Sequence, residues 1–175
     1  MLHKVQQDLK RLNIRARWVR PENIHLTLKF LGDTPTGAVE RIGAEMADAA
    51  GEFAPILLVV KGLGVFPGIK RPRVVWVGID GDTQALLALQ NRLEEQLGGF
   101  GFPREKRAFK AHLTLGRIKN AVNPEIVRQM LNEFTDLSSE DFILEHLILY
   151  KSDLKPSGAV YSRLKQAKLG TTDVD

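Results

Sequence analysis

The tetrapeptide His-Leu-Thr-Leu occurs twice in this chain, as His25–Leu28 and as His112–Leu115. The sequence contains four histidines, so half of them lie in one repeated context. Successive side chains of a β-strand point to opposite faces, so each motif would place its histidine beside its threonine and turn its leucines away. The repeat therefore predicts two strands, each presenting an acid/base group and a hydroxyl.

The chemistry that this pattern favours is proton transfer around a phosphate. Imidazole titrates near neutral pH, so two histidines at one site can divide the general acid and general base work. Cleavage of a phosphodiester needs both roles, and threonine hydroxyls can hydrogen-bond the phosphate oxygens as charge builds on them. The scheme needs no metal or other cofactor. A metal site of two histidines and a carboxylate is the alternative, but no Asp or Glu follows in the short register of a metal-binding motif.

Three basic residues near the motifs are predicted to bind substrate. Lys29 has the strand parity of His25, and Lys110 has that of His112, so both point toward the same face as the histidines. Arg117 has the opposite parity and reaches the site only if the strand ends or bulges at Gly116.

The aromatic and apolar residues near the motifs could either contact the substrate or pack into the core. Phe66 precedes Pro67 and Gly68, which favours a loop, where its ring could stack on a nucleobase or pack into the core. Trp76 lies in an apolar strand and is predicted to be core. The leucines of both motifs and Phe30 alternate with the polar residues and are also predicted to be core.

Composition excludes several classes of protein. The 175 residues include no cysteine, which excludes a disulfide framework and thiolate chemistry. The longest apolar stretch, Ile56–Val60, is far short of the roughly 20 residues that span a bilayer. The N-terminus is polar rather than signal-like, so we predict a cytoplasmic protein with no membrane partner and infer no obligate protein partner.

The net charge is +4, and the basic residues are clustered. Two clusters run directly into the two motifs, and the third lies between them. Basic groups converging on paired histidines favour a phosphate-bearing ligand, although each cluster could equally be a solvated face. The clusters are Lys10 to Arg20, Lys70 to Arg73, and Arg104 to Lys110.

The repeat extends beyond the motifs at an offset of 87 residues. In each half, apolar periodicity predicts a helix, the motif strand, a second helix, a strand, a loop and another strand. We therefore predict one bilobal domain, residues 1–175, with halves 1–80 and 81–175 that each carry one motif. The predicted strands after the motifs are Ile56–Val60 and Val74–Ile79 in the first half, and Phe142–Tyr150 and Ala159–Leu164 in the second.

The comparison of the halves predicts one element that the first half lacks. Val74–Ile79 precedes the first helix of the second half, whereas the first helix of the first half begins at Met1. By symmetry, a strand of a few residues would precede Met1. The expectation is that this first strand is missing from the sequence.

The residues around the motifs resemble the 2H phosphoesterase superfamily, and within it the RNA 2′,3′-cyclic phosphodiesterases, historically called 2′-5′ RNA ligases. The resemblance covers nearly the whole chain. It rests on the paired H-x-T-x motifs and on four segments, RWVRPENIHLTLKFLGD, FKAHLTLGRI, GVFPGIKRPRVVWVGI and LYKSDLKPSGAVYSRL.

This resemblance implies an α+β fold of two pseudo-symmetric antiparallel sheet lobes, with helices outside and a central cleft. It implies hydrolysis of RNA 2′,3′-cyclic phosphate ends to 2′-phosphates, with His25 as proton donor and His112 as proton acceptor. Thr27 and Thr114 would hold the phosphate oxygens, and Arg117 matches a basic position that often follows the second motif. The partners would be RNA 3′ ends or 2′,3′-cyclic nucleotides.

Two other functions stay open at this point. The same histidines would serve the reverse reaction, joining RNA ends through a 2′-5′ linkage. The same residues could also form a non-catalytic module that binds nucleotides or RNA 3′ ends, although a pure binder has no need of two proton carriers.

Overall fold

The structure is a computed structural model that describes residues 1–12, 14–156 and 158–170. These residues form four α-helices and seven strands, and the strand pairs β1–β4, β2–β5, β3–β4 and β6–β7 are antiparallel. The predicted α+β class with antiparallel sheets is confirmed. The helices are α1 (Leu2–Arg11), α2 (Val39–Gly51), α3 (Thr83–Gly98) and α4 (Pro124–Glu133). The strands are β1 (Ala16–Trp18), β2 (Ile56–Phe66), β3 (Val74–Gly81), β4 (His112–Ile118), β5 (Phe142–Leu144), β6 (His146–Lys155) and β7 (Gly158–Lys168).

The helices begin where the sequence supplies capping groups and bury one apolar face. The Asp82 side chain accepts a hydrogen bond from the Ala85 amide at the start of α3. At α4, Asn123 caps the first turn and Pro124 occupies a first-turn position that needs no N–H donor. Burial of the apolar stripes of α1 and α3, which include Leu9 and Leu89, then holds these helices in place.

The fold divides into two compact units built from interleaved segments. Unit 1 contains Met1–Thr27, Val59–Gly81 and Ala111–Asp141; unit 2 contains Leu28–Leu58, Asp82–Lys110 and the chain from Phe142 onward. The predicted halves 1–80 and 81–175 therefore do not coincide with these units, because each half contributes segments to both. Both His-Leu-Thr-Leu histidines belong to unit 1.

Unit 1 is organised around a sheet with the strand order β1, β4, β3 and the C-terminal part of β2. One face of this sheet is apolar, and Val75 and Leu115 on that face are fully buried. Helix α1 lies against it, because the Gln6 side chain reaches the backbone of β4. The opposite face is the one that presents the polar residues of the motifs.

Unit 2 contains α2, α3 and the long antiparallel hairpin β6–β7. The first three residues of β2 pair with β5 in this unit. Leu58, Leu86 and Leu169 are among its fully buried side chains.

Four local predictions are corrected by the structure. The first motif is not a regular strand, since only Leu26 forms a bridge there. Phe66 ends strand β2 rather than lying in a loop. Phe30 is 84% exposed and is not core. The predicted strand Phe142–Tyr150 is two strands, interrupted at Glu145.

Candidate active site

The two motifs lie side by side although they are far apart in the sequence, and the histidines and threonines of both belong to unit 1. Leu26 forms an antiparallel bridge with Leu113, the first leucine of the second motif. Directly opposite residues in an antiparallel pair project from the same face, so the two leucines share one face. The polar residues on either side of each leucine therefore share the other face.

One step from the bridge on either side, the antiparallel register sets His25 beside Thr114 and Thr27 beside His112. Opposed residues of such a pair have Cβ atoms roughly 4.5–5.5 Å apart. The two histidines and two threonines therefore form a compact square in which each histidine neighbours the other motif's threonine. Both histidines are half-buried and Thr27 is exposed, so the square is open to a ligand.

A short 3₁₀ turn, Pro21–Asn23, orients His25. The His25 Nδ1–H donates a 2.8 Å hydrogen bond to the Asn23 carbonyl oxygen. Because a carbonyl oxygen can only accept, this bond places the hydrogen on Nδ1. The Nε2 atom of His25 is then the one that can exchange a proton with a ligand.

His112 is oriented by aromatic rings. The Phe66 ring meets it edge-on, with centroids 5.0 Å apart and planes at 87°. The Trp76 ring lies 6.0 Å from it and 4.9 Å from Phe66. Phe66 thus contacts His112, and its predicted contact with substrate stays a prediction. These contacts restrict the rotation of the imidazole.

Trp76 lies on the same face as the second motif, because it opposes Thr114 in the β3–β4 register. Its side chain is 9% exposed, which confirms the prediction that Trp76 is buried. The ring fits over Gly64, where an added Cβ would lie 2.1 Å from Trp76 Cζ2. A glycine at this position therefore leaves room for the indole, which is inclined at 64° to the His112 ring.

Arg117 lies on the same face as His112 because strand β4 contains a bulge. Val74 pairs with Arg117 and Trp76 pairs with Thr114, so the register skips Leu115. One extra residue on β4 reverses the side-chain alternation, and Arg117 joins the face of Thr114. The predicted condition for Arg117 to reach the site, a bulge near Gly116, is present.

Sequence reasoning missed Gln6, which supports this bulge from α1. Its side chain is 1% exposed, and Nε2 donates to the Leu115 carbonyl at 2.9 Å and to the Val19 carbonyl at 2.7 Å. A buried amide that bonds two strand carbonyls ties β1 to β4 at the irregular position. The sequence feature that could have indicated this role is the presence of a glutamine on the apolar stripe of α1.

Asp80 is a carboxylate near the end of β3, two residues beyond Gly78. Lys61 Nζ donates to Asp80 Oδ2 at 2.9 Å, and this hydrogen bond holds the pKa of Asp80 below its usual range. Asp80 is thus charged and paired at neutral pH, which makes it a poor general acid.

The structure places Lys29 in a buried ion pair of unit 2. Its Nζ donates to Glu94 Oε2 at 2.5 Å and to the Pro103 carbonyl at 3.0 Å, and the lysine side chain is 5% exposed. Gln90 completes the network by donating to Glu94 Oε1. The predicted contact of Lys29 with substrate is therefore wrong, because its ammonium group neutralises Glu94.

Lys110 is exposed and ends the segment that precedes β4. Regular strand structure begins at His112, so the strand parity that linked Lys110 to the motif does not extend back to this residue. Its contact with substrate stays a prediction.

No group of three His, Cys, Asp or Glu side chains that could hold a metal ion occurs in residues 1–12, 14–156 and 158–170. Within the same residues, no helix has the length and apolar character needed to cross a membrane. The donors that the structure does bring together are imidazoles and hydroxyls, which suit proton transfer and hydrogen bonding to phosphate.

Known proteins resemble this chain over nearly its whole length. A protein of Archaeoglobus fulgidus named RNA 2′,3′-cyclic phosphodiesterase is 38% identical over 168 residues, which cover 93% of this chain and 90% of that protein. A protein of Methanothermobacter thermautotrophicus with the same name is 31% identical over 166 residues, with coverages of 95% and 89%.

Solved structures show the same fold. The crystal structure of the Thermus thermophilus protein TT0787 matches with a TM-score of 0.75 and 27% identity, covering 97% of this chain and 90% of that chain. Escherichia coli LigT matches in fold with a TM-score of 0.67 and 24% identity, covering 95% of this chain and 91% of that chain.

The family model described as LigT like phosphoesterase matches the chain twice, over residues 1–76 and 77–161. Each matched segment contains one His-Leu-Thr-Leu motif. The chain therefore belongs to the LigT-like phosphoesterase family.

Proposed function

We propose that the protein hydrolyses RNA 2′,3′-cyclic phosphate ends to 2′-phosphate ends by acid/base catalysis with two histidines and no metal. The observation that carries this proposal is the bridge between Leu26 and Leu113, which brings two histidines and two threonines onto one face. The names of the relatives support the choice of substrate.

The reaction forms one bond to phosphorus and breaks another. The imidazole of His112 accepts a proton from water as the water oxygen attacks phosphorus. The bond from phosphorus to the 3′ oxygen breaks, and that oxygen receives a proton from Nε2 of His25. The product carries a 2′-phosphate and a free 3′ hydroxyl. The division of roles follows the family resemblance, and the hydrogen bond from His25 to Asn23 supports Nε2 as its reactive atom.

The remaining polar groups stabilise charge on the phosphate. The hydroxyls of Thr27 and Thr114 donate hydrogen bonds to the nonbridging oxygens as negative charge increases there. Arg117 adds a fixed positive charge on the same face. In 2′-5′ joining of RNA ends, the 5′ hydroxyl of a second RNA takes the place of water. His112 accepts its proton as the 5′ oxygen attacks phosphorus, and His25 protonates the departing 3′ oxygen, which leaves a 2′-5′ linkage.

The proposed partners are RNA 3′ ends or small 2′,3′-cyclic nucleotides, and the proposed compartment is the cytoplasm.

The test is to incubate the protein with an oligonucleotide ending in a 2′,3′-cyclic phosphate and to identify the position of the phosphate in the product. We expect a 2′-phosphate, and we expect the same rate in excess EDTA. A 3′-phosphate product would contradict the assigned leaving group, and loss of activity in EDTA would contradict metal independence.

Binding without turnover is the alternative outcome. If the protein binds a 2′-phosphorylated oligonucleotide tightly and leaves the cyclic form intact, it is a binding module that uses the same residues.

A further inference from the structure

A second arginine lies next to Arg117 on the neighbouring strand. Arg17 of β1 is the direct register partner of Arg117 of β4. In an antiparallel pair, opposed residues project from the same face with Cβ atoms about 4.5–5.5 Å apart. The two guanidinium-bearing side chains therefore leave the sheet together.

The face on which they project is the face of the histidine and threonine side chains. The β4 bulge sets Arg117 on that face, and Arg17 follows because it opposes Arg117. The neighbouring residue Trp18 supports this assignment of Arg17, because Trp18 projects from the opposite face of the sheet. Trp18 opposes Gly116, and its ring lies where a Gly116 Cβ would point, 2.9 Å away, on the apolar face.

Three rows of side chains are thus aligned along β4. The first row is His112 with Thr27, and the second is Thr114 with His25. The third row is the arginine pair. On β3, the partner of Thr114 and the partner of Arg117 are two positions apart, which is a rise of roughly 7 Å. The arginine row is therefore roughly 7 Å along the sheet from the row that contains Thr114 and His25.

The chemistry of the pair suits an anion. Both arginines are exposed and project from the face of the motif histidines. Guanidinium groups bind phosphate by charge-assisted, bidentate hydrogen bonds. The register thus favours a phosphate-binding function for Arg17, which was part of a basic cluster with no assigned role.

We propose that Arg17, with Arg117, binds the internucleotide phosphate next to the cyclic phosphate. This inference rests on the proposed function and makes it more specific. The preferred substrate is then an RNA of at least two nucleotides rather than a mononucleoside 2′,3′-cyclic phosphate, because the mononucleoside has no second phosphate for Arg17.

The experiment compares kcat/KM for a trinucleotide that ends in a 2′,3′-cyclic phosphate with kcat/KM for a mononucleoside 2′,3′-cyclic phosphate. We expect Arg17→Gln to lower the ratio of the two values about tenfold, mainly through KM for the trinucleotide, and Arg17→Lys to lower it less. The matched control is Arg11→Gln, which removes the same charge from an exposed arginine on α1. It should keep the wild-type ratio.

Salt dependence is a second readout. Removal of one phosphate contact should reduce the slope of log affinity against log salt by roughly one for the trinucleotide. An unchanged ratio in Arg17→Gln, or equal losses on both substrates, would overturn the proposal.

A binding measurement distinguishes failure of the proposed hydrolytic function from failure of the proposed Arg17 phosphate site. If the wild-type protein hydrolyses neither substrate, the Kd for a trinucleotide with a terminal 2′-phosphate still tests Arg17. A tenfold weaker Kd in Arg17→Gln, with Arg11→Gln at the wild-type value, supports the subsite. Equal Kd values for the three proteins exclude it.

Discussion

At the scale of single residues, the two motif histidines are held in different ways. His25 is oriented by the Asn23 carbonyl oxygen, at 2.8 Å from its Nδ1. His112 is oriented by its ring contacts with Phe66 and Trp76. The two copies of the tetrapeptide thus have different neighbours, a backbone carbonyl beside His25 and two aromatic rings beside His112.

The first prediction concerns these histidines. We expect His25→Ala and His112→Ala each to lower kcat on a 2′,3′-cyclic phosphate by about 100-fold or more, because each removes one proton transfer. The wild-type pH–rate profile should be bell-shaped, and each variant should lose one limb of it. His3→Ala is the control, since the exposed His3 side chain hydrogen-bonds Gln7 on the surface of α1. Near wild-type turnover by a folded His25 or His112 variant would show that the pair does not act as acid and base.

At the scale of elements, a bulge and a glycine determine which side chains reach the site. The bulge at Leu115 turns Arg117 onto the motif face. Gly64 leaves room for the Trp76 indole, which in turn contacts His112. Both features lie in the sheet itself and support the residues that carry the chemistry.

The second prediction tests the support of the bulge. Gln6→Leu keeps the side-chain size but removes the amide that donates to Leu115 and Val19. We expect a loss of about 1–3 kcal/mol in the free energy of unfolding, measured in urea, because buried carbonyls lose a donor. We also expect a lower kcat/KM, because Arg117 is no longer held in place. The exposed neighbour Gln7→Leu should change neither quantity. If stability falls and kcat/KM is unchanged, the bulge does not depend on Gln6.

The third prediction tests the indole contact. Gly64→Ala places a Cβ 2.1 Å from Trp76 Cζ2, so the ring has to shift from its present position beside His112. Overpacking of this kind costs about 1–3 kcal/mol, and we expect turnover to fall with it. Thermal denaturation, near-ultraviolet circular dichroism and kcat measure the three effects. Gly68→Ala is the matched control, because an added Cβ there meets nothing within 4 Å. Equal behaviour of the two variants would argue against the contact.

At the scale of the whole molecule, each compact unit has its own buried core, and unit 2 contains a buried ion pair in addition. Lys29 and Glu94 have side chains that are 5% and 8% exposed. Breaking one side of a buried pair leaves an uncompensated charge, which costs more than the pair itself contributes.

The fourth prediction follows from this difference between removing one partner of the buried ion pair and removing both. Glu94→Gln should lower the free energy of unfolding by about 3–5 kcal/mol, and adding Lys29→Met should restore part of the loss. Glu40→Gln is the comparison, because Glu40 pairs with Lys165 while 82% exposed, where ion pairs contribute little. The measurement is urea unfolding of the wild-type protein and the three variants. A double variant less stable than Glu94→Gln would contradict the account of a charge left unpaired.

The sequence by itself was sufficient for several features of the fold and site. Helix α2 follows from local apolar periodicity, and the start of α4 follows from Asn123 and Pro124; both signals act within a few residues of the chain. Strand parity was enough to separate the histidine and threonine of the second motif from its leucines. The duplicated motif with its flanking segments was enough to indicate the family that the comparison then confirmed.

Other features depended on contacts between residues distant in sequence. The bridge of Leu26 to Leu113 joins segments 87 residues apart, and no local pattern specifies its register. The bulge that redirects Arg117 is visible only against the partner strand β3. Strand parity predicted that Lys29 binds substrate. In the structure Lys29 is buried and pairs with the Glu94 carboxylate, because a buried lysine needs a counter-charge. Residue types and local periodicity thus determined which groups could act, while strand register and burial decided which of them share a face.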